Sequence, residues 1–234
     1  MVSSIQIKKE IVMNKFIKKI IWLIIITPGI YLAIVWNKLP ERVAMHFNLK
    51  GNIDRYGNRN ELIVLTVLMM IVAAAIYVLL PLAYKIDPKR YAAENKSRLH
   101  RIAFVVTVFL SAILCLLIYS STHGNMKFST KLIFAGVGLL FCFIGNYMHN
   151  IKPNYFAGFR LPWTLENESN WRKTHLLGGK LFFAGGFLIA VISLLTPAIV
   201  SMAIFFAITV TITIIPCVYS YRLYKKQKSL NSIT

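Results

Sequence analysis

The chain has 234 residues, 57% of them hydrophobic and only 15% charged, yet its formal net charge is +19. A soluble domain spends about a quarter of its residues on charge, so an ordinary water-soluble core is excluded. The cationic excess needs no direct nucleic-acid partner, because Lys and Arg retained on the cytoplasmic side, against anionic headgroups of the lipid bilayer, account for it.

In chain order, residues 1–19 form a basic tail carrying Lys8, Lys9, Lys15, Lys18 and Lys19. Met13 is an alternative start, and the first twelve residues are expected to be dispensable. The first apolar stretch, 20–36, is too long for a signal-peptide core and shows no small-x-small cleavage site, which predicts an uncleaved span. Five further stretches, 62–84, 102–120, 132–148, 181–196 and 198–221, likewise contain no Asp, Glu or Lys. Each is close to the roughly 17–25 residues that cross the hydrocarbon as a helix. The expected fold is therefore an all-α polytopic membrane protein with six transmembrane helices. Pro28 and Pro216 should kink the first and last helices. Pro197, with almost nothing polar beside it, makes spans five and six a tight hairpin.

The Lys and Arg residues assign the sides. Twenty of the 27 lie in the two tails, the second connection and the fourth; seven lie in the first and third. Both termini are expected in the cytoplasm. The chain then divides into the tail 1–19, the first two spans (20–84), a basic loop with spans three and four (85–148), a loop with spans five and six (149–221), and a basic tail (222–234). Cys115, Cys142 and Cys217 all fall inside spans, which argues against a disulfide framework and a CxxC metal or redox site.

Two connections carry information. In 37–61, external by the charge count, Val43, Met45, Phe47 and Leu49 alternate with Ala44, His46 and Asn48, the period of a half-buried strand. Lys50-Gly51-Asn52 reads as a turn, Ile53 to Tyr56 as a returning strand, and Gly57-Asn58 as a second turn. A small external β-hairpin is expected, with His46 pointing away from its apolar face. His46 and Asp54 fall short of the usual three metal ligands and have no Ser or Cys nucleophile, so neither a metal, a cofactor nor catalysis is assigned to them.

The second is 149–180. Pro162 forces residue 161 out of the helical region, Asn167 offers an N-cap, and Glu168 complements the dipole of a helix starting there. Trp171 and His175 share a face with Gly178 and Gly179, and Gly185 and Gly186 repeat two turns later, a stripe that permits close helix approach in lipid. This helix is expected to start in the cytoplasm, follow the interface and enter the membrane. For Arg160 and Trp163 both lipid anchoring and a partner-binding surface stand open. The apolar stretches contain no Asp, Glu, His or Lys of the kind ion-coupled carriers use.

Asn154-Tyr155-Phe156-Ala157-Gly158-Phe159-Arg160-Leu161-Pro162-Trp163-Thr164-Leu165, followed by Trp171-Arg172-Lys173-Thr174-His175 and Gly178-Gly179, resembles the signature of the SdpI family of bacterial membrane immunity proteins. Pro40, His46-Phe47-Asn48, Gly51 and Asp54 resemble the small domain of unknown function that commonly precedes it. Leu161 departs from the pattern, where a Thr is expected before Pro-Trp. The resemblance implies a non-enzymatic protein of the bacterial plasma membrane that protects against a secreted peptide toxin. It also implies signal transduction, in which the toxin-engaged protein sequesters a transcriptional repressor. Toxin contact is mapped to His46, Phe47, Gly51 and Asp54. The cytoplasmic loop, as partner surface or as structure, is mapped to Asn154, Gly158, Arg160, Pro162, Trp163, Thr164, Trp171, Thr174, His175 and Gly178, with the glycine-lined helix as the route between the two. The alternative class is a small-solute or peptide exporter conferring resistance, and a membrane enzyme is the third.

Overall fold

The structure is a computed structural model that describes residues 4–48, 53–89, 92–123 and 127–231. Among the described residues, six helices are long and apolar enough to cross a membrane: α1 (Ser4–Val35), α2 (Arg59–Leu82), α3 (Ala92–His123), α4 (Lys127–Met148), α6 (Glu168–Leu195) and α7 (Ala198–Asn231). A short helix, α5 (Pro162–Glu166), precedes α6, and a two-stranded antiparallel sheet, β1 (Arg42–Phe47) with β2 (Ile53–Asn58), joins α1 to α2. The all-α, six-span architecture with a small hairpin is as expected from the sequence. Pro28, Pro81 and Pro216 lie inside α1, α2 and α7.

Several helices outrun their apolar stretches. α3 begins ten residues before Ile102, and in these polar first turns Asn95 and Leu99 are the buried residues. α6 begins at Glu168, where Asn167 caps it by accepting the Asn170 N–H at 2.8 Å. The whole run to Leu195 is one helix, and only two residues separate it from the start of α7. α5 was not expected. Leu161 is extended (φ −86°, ψ 150°), as a residue before proline must be. Pro162 then occupies the first helical position, where its missing N–H is harmless.

The hairpin departs from strict alternation. Arg42, Val43 and Ala44 pair with Asn58, Gly57 and Tyr56, but the register shifts between Ala44 and His46 and again before Phe47. Val43 and Ala44 precede the shifts and point to opposite faces, yet both are buried, so the start of β1 is covered on both sides. The turn at Lys50-Gly51-Asn52 lies outside the described residues. Gly57-Asn58 is not a separate turn: both belong to β2, and Asn58 is the N-cap of α2. It accepts the Asn60 N–H, and its own N–H is taken by Glu61, each at 2.9 Å. Such reciprocal capping ends the strand and starts the helix in one step.

α1, α2 and α3 pack around Ile21, Ile25, Ala73, Tyr77 and Ala103, and, nearer the hairpin, around Leu32, Leu62, Leu114, Ile118 and Val43. α4, α6 and α7 form the other half, with α4 and α6 in the most extensive contact of the molecule. A Cβ on Gly138 would stand 2.5 Å from Gly186 O, and one on Gly145 would stand 2.6 Å from Gly179 O. Backbone therefore meets backbone at two levels of this pair, which is how helices gain dispersion contact in lipid. Gly178 and Gly185 face elsewhere, toward the Phe159 ring and toward Ile208 and Ile212 of α7. Because α2, α3 and α4 intervene, the hairpin and the α4–α6 connection lie at opposite ends of the bundle.

Candidate functional site

The α4–α6 connection is organised from its first residues. Asn154 is buried, and its side chain makes four bonds to backbone: Nδ2 donates to Lys152 O (2.8 Å) and Ala157 O (3.2 Å), while Oδ1 accepts from Phe156 N (2.8 Å) and Ala157 N (2.7 Å). One side chain thus supplies the hydrogen bonds that secondary structure would otherwise give this turn. The turn delivers the chain to Gly158, whose φ is +107°. At that point the backbone crosses His175 so closely that a Cβ on Gly158 would collide with Nε2.

His175 holds the crossing. Its Nε2 lies 3.0 Å from Phe159 N and its Nδ1 lies 2.8 Å from Trp171 O. A backbone N–H can only donate and a carbonyl can only accept, so Nε2 is the acceptor and Nδ1 carries the proton. The ring is stacked on Trp171 at 3.9 Å between centroids, and Trp171 Nε1 donates to Ile151 O at 2.8 Å. The two residues of α6 therefore clasp the connection at both ends, at Ile151 and at Phe159. Thr164 closes the next turn: its hydroxyl accepts the Leu161 N–H (2.9 Å) and donates to Phe159 O (2.6 Å).

The remaining contacts reach neighbouring helices. Trp163 Nε1 donates to Ser220 Oγ at 3.0 Å, with its ring against Tyr221 and Tyr224. Asn170 donates to Ser220 O and accepts from the Thr174 hydroxyl, both at 3.0 Å. The α2–α3 side contributes Asn95, Asp87 and Lys89. Asn95 bonds both Lys152 N and Lys152 O at 3.1 Å, Asp87 accepts from Tyr155 N at 3.3 Å, and Lys89 Nζ donates to Leu165 O at 2.8 Å.

Of the ten residues that the sequence singled out here, Asn154, Thr164, Trp171, Thr174, His175 and Gly178 are buried, and their polar groups are spent on the loop's own frame. Gly158, Arg160 and Pro162 are exposed and Trp163 is half-buried. Arg160 donates from Nη1 to Tyr155 O at 2.6 Å. Asp87, Lys89, Asn95, Asn170 and Ser220 were missed. Asp87, Lys89, Asn95 and Ser220 are single polar residues on elements remote in sequence and carry no local signature, whereas Asn170 sits beside Trp171 on α6 and reads there as an ordinary first-turn polar residue.

At the other end, His46 Nδ1 and Asp54 Oδ1 are 2.5 Å apart, with side chains 67% and 40% exposed. Arg55 and Glu61 pair beside them at 3.3 Å. A cleft of about 240 Å³, lined by Met45, Leu62, Leu65, Leu117 and Ser121 among others, opens between β1, α2 and α3. Phe47 pairs through its backbone with Ile53, and Gly51 lies outside the described residues. No group of three or more His, Cys, Asp or Glu side chains that could hold a metal occurs among the described residues.

These features define a multi-pass helical membrane protein with a small hairpin at one end and a self-bonded polar connection at the other. Residues 150–220 match the SdpI/YfhL protein family and residues 23–71 match a domain of unknown function, DUF1648, so the resemblance read from the sequence holds in both segments. Over 212 residues the chain is 25% identical to the immunity protein SdpI of Bacillus subtilis (strain 168), covering 89% of this chain and 97% of that one. The protein is a multi-pass protein of a bacterial membrane. No solved structure matches the chain.

Proposed function

We propose that this protein is a non-enzymatic immunity protein that protects its host cell from a secreted antimicrobial peptide. The similarity to the Bacillus immunity protein carries this reading, because it runs through almost the whole length of both chains and includes the hairpin as well as the α4–α6 connection. The Lys and Arg distribution supports placing the hairpin outside and the connection with both termini in the cytoplasm. In that orientation the exposed His46–Asp54 pair stands where a peptide arrives, and it is the point of contact proposed for the toxin.

The signalling arm is proposed on the same orientation. A cytoplasmic repressor would meet what the connection leaves exposed, which includes Tyr155, Arg160 and Pro162 with the half-buried Trp163. Trp and Arg are the residue types that most often anchor such contacts. Deletion and complementation under toxin challenge test the protective arm: a strain lacking the protein should be killed at concentrations the complemented strain survives, and equal survival would refute it. Trp163→Ala at unchanged protein level should abolish recruitment of the repressor to the membrane, and undiminished recruitment would remove Trp163 from that surface.

A further inference from the structure

We infer that α3 mechanically couples the hairpin to the polar connection at the far end of the bundle. Near its C-terminal end, Ser121 donates a buried hydrogen bond to Ala44 O of β1 at 3.0 Å. Near its N-terminal end, Asn95 holds Lys152 by two bonds, Nδ2 to the carbonyl and Oδ1 to the N–H, both 3.1 Å. Both side chains are almost entirely buried (6% and 1% exposed). Breaking these bonds to backbone would be costly, so hairpin and connection are tied to the same helix at fixed points. The 26 helical steps from Asn95 to Ser121 span about 39 Å.

Both anchors continue into their own sites. Ala44 precedes His46 by two residues and shares the cleft with it. Lys152 O also accepts from Asn154, which shapes the turn leading to Gly158 and His175. A shift of the hairpin that moves Ser121 therefore moves Asn95 and, through Lys152, the frame around the Phe159–His175 bond.

The glycine-lined α6 is a poorer route. β1 and β2 pack on α2 and α3, whereas α6 packs on α4, α5 and α7. Its backbone is locked against α4 at Gly138–Gly186 and Gly145–Gly179. Such contacts hold α6 as the fixed half against which α3 is displaced. This deepens the proposed sensing role, but the coupling exists without any toxin and is tested without one.

Hydrogen–deuterium exchange of the full-length protein in lipid nanodiscs reads both ends at once. Ser121→Ala should speed exchange roughly fivefold in β1, the effect of losing one net hydrogen bond, and also raise it several-fold at residues 152–157. Asn95→Ala should do the reverse, loosening 152–157 most and β1 second. The double variant should loosen each end by less than the product of the single effects, as linked groups do. Asn95→Gln, which keeps the amide but lengthens the side chain, serves if Asn95→Ala does not fold. Ser201→Ala, which disturbs the α6–α7 turn instead, should leave β1 and 152–157 unchanged. Single variants that each loosen only their own end would overturn the inference, and so would a Ser201→Ala variant that loosens both.

Discussion

Gly158 crosses the edge of the His175 ring with a φ of +107°, leaving no room for a Cβ beside Nε2. Gly158→Ala therefore meets two penalties. Backbone strain in such a region is of order 1–3 kcal/mol, and the new methyl must also displace the ring from Phe159 N–H and Trp171 O. A large fall in the unfolding midpoint is expected in detergent or nanodiscs. His175→Ala in the same chain should relieve the collision but not the strain, so the double variant should be less destabilised than the sum of the two single changes. Strict additivity would show that the ring and the glycine do not press on each other.

Trp171 separates packing from hydrogen bonding at the same clasp. Trp171→Phe keeps a ring over His175 but leaves Ile151 O without its 2.8 Å donor, a loss of about 1–3 kcal/mol for a buried acceptor. Trp171→Ala also removes a fully buried indole and should lose about 3–5 kcal/mol. Thermal unfolding of the two variants checks the order, and equal losses would mean that the stack contributes nothing.

The glycine faces were legible only in part from the sequence. The seven-residue spacing of Gly178 with Gly185 and Gly179 with Gly186 predicts one glycine stripe against one neighbouring span, but spacing does not name partners, and the structure splits the stripe in two. One stripe meets Gly145 and Gly138 of α4; the other meets Phe159 and α7. The helices themselves were legible because hydrocarbon thickness sets a length that apolar runs must match. The hairpin's register was not, because the shift beyond Ala44 breaks the period from which strands are recognised. Nor was the burial of Asn154, Asn170 and His175: polar residues in a connection read as solvated until the backbone groups they satisfy are seen.

Glycine substitutions should rank by what the new methyl strikes. Gly145→Ala and Gly186→Ala would drive Cβ into backbone of the facing helix, at 2.5 Å from Phe183 N and from Gly138 O respectively. Neither backbone can yield without separating α4 from α6, so sharply reduced folded yield is expected. Gly29→Ala meets only Met70, at 3.2 Å from its sulfur, and methionine is flexible enough to move aside. It should fold at near-normal yield. Size-exclusion profiles and melting midpoints of the three variants give the ranking, and a Gly29 variant as damaged as the other two would contradict it.

The His46–Asp54 pair allows function and stability to be pulled apart. Both side chains are substantially exposed (67% and 40%), and exposed ion pairs contribute about 0–1 kcal/mol. His46→Ala and Asp54→Ala should therefore accumulate in the membrane and melt within a few degrees of the unaltered protein. If the hairpin is the surface that meets the toxin, both variants should nevertheless protect poorly, raising killing at a dose the unaltered protein withstands. Trp171→Ala should also protect poorly, but with a loss of folded protein that parallels its loss of stability. Quantifying membrane-embedded protein alongside survival distinguishes the two causes. Full protection by both hairpin variants would move the toxin contact away from this pair, toward the apolar cleft formed by Met45, Leu62, Leu65 and Leu117.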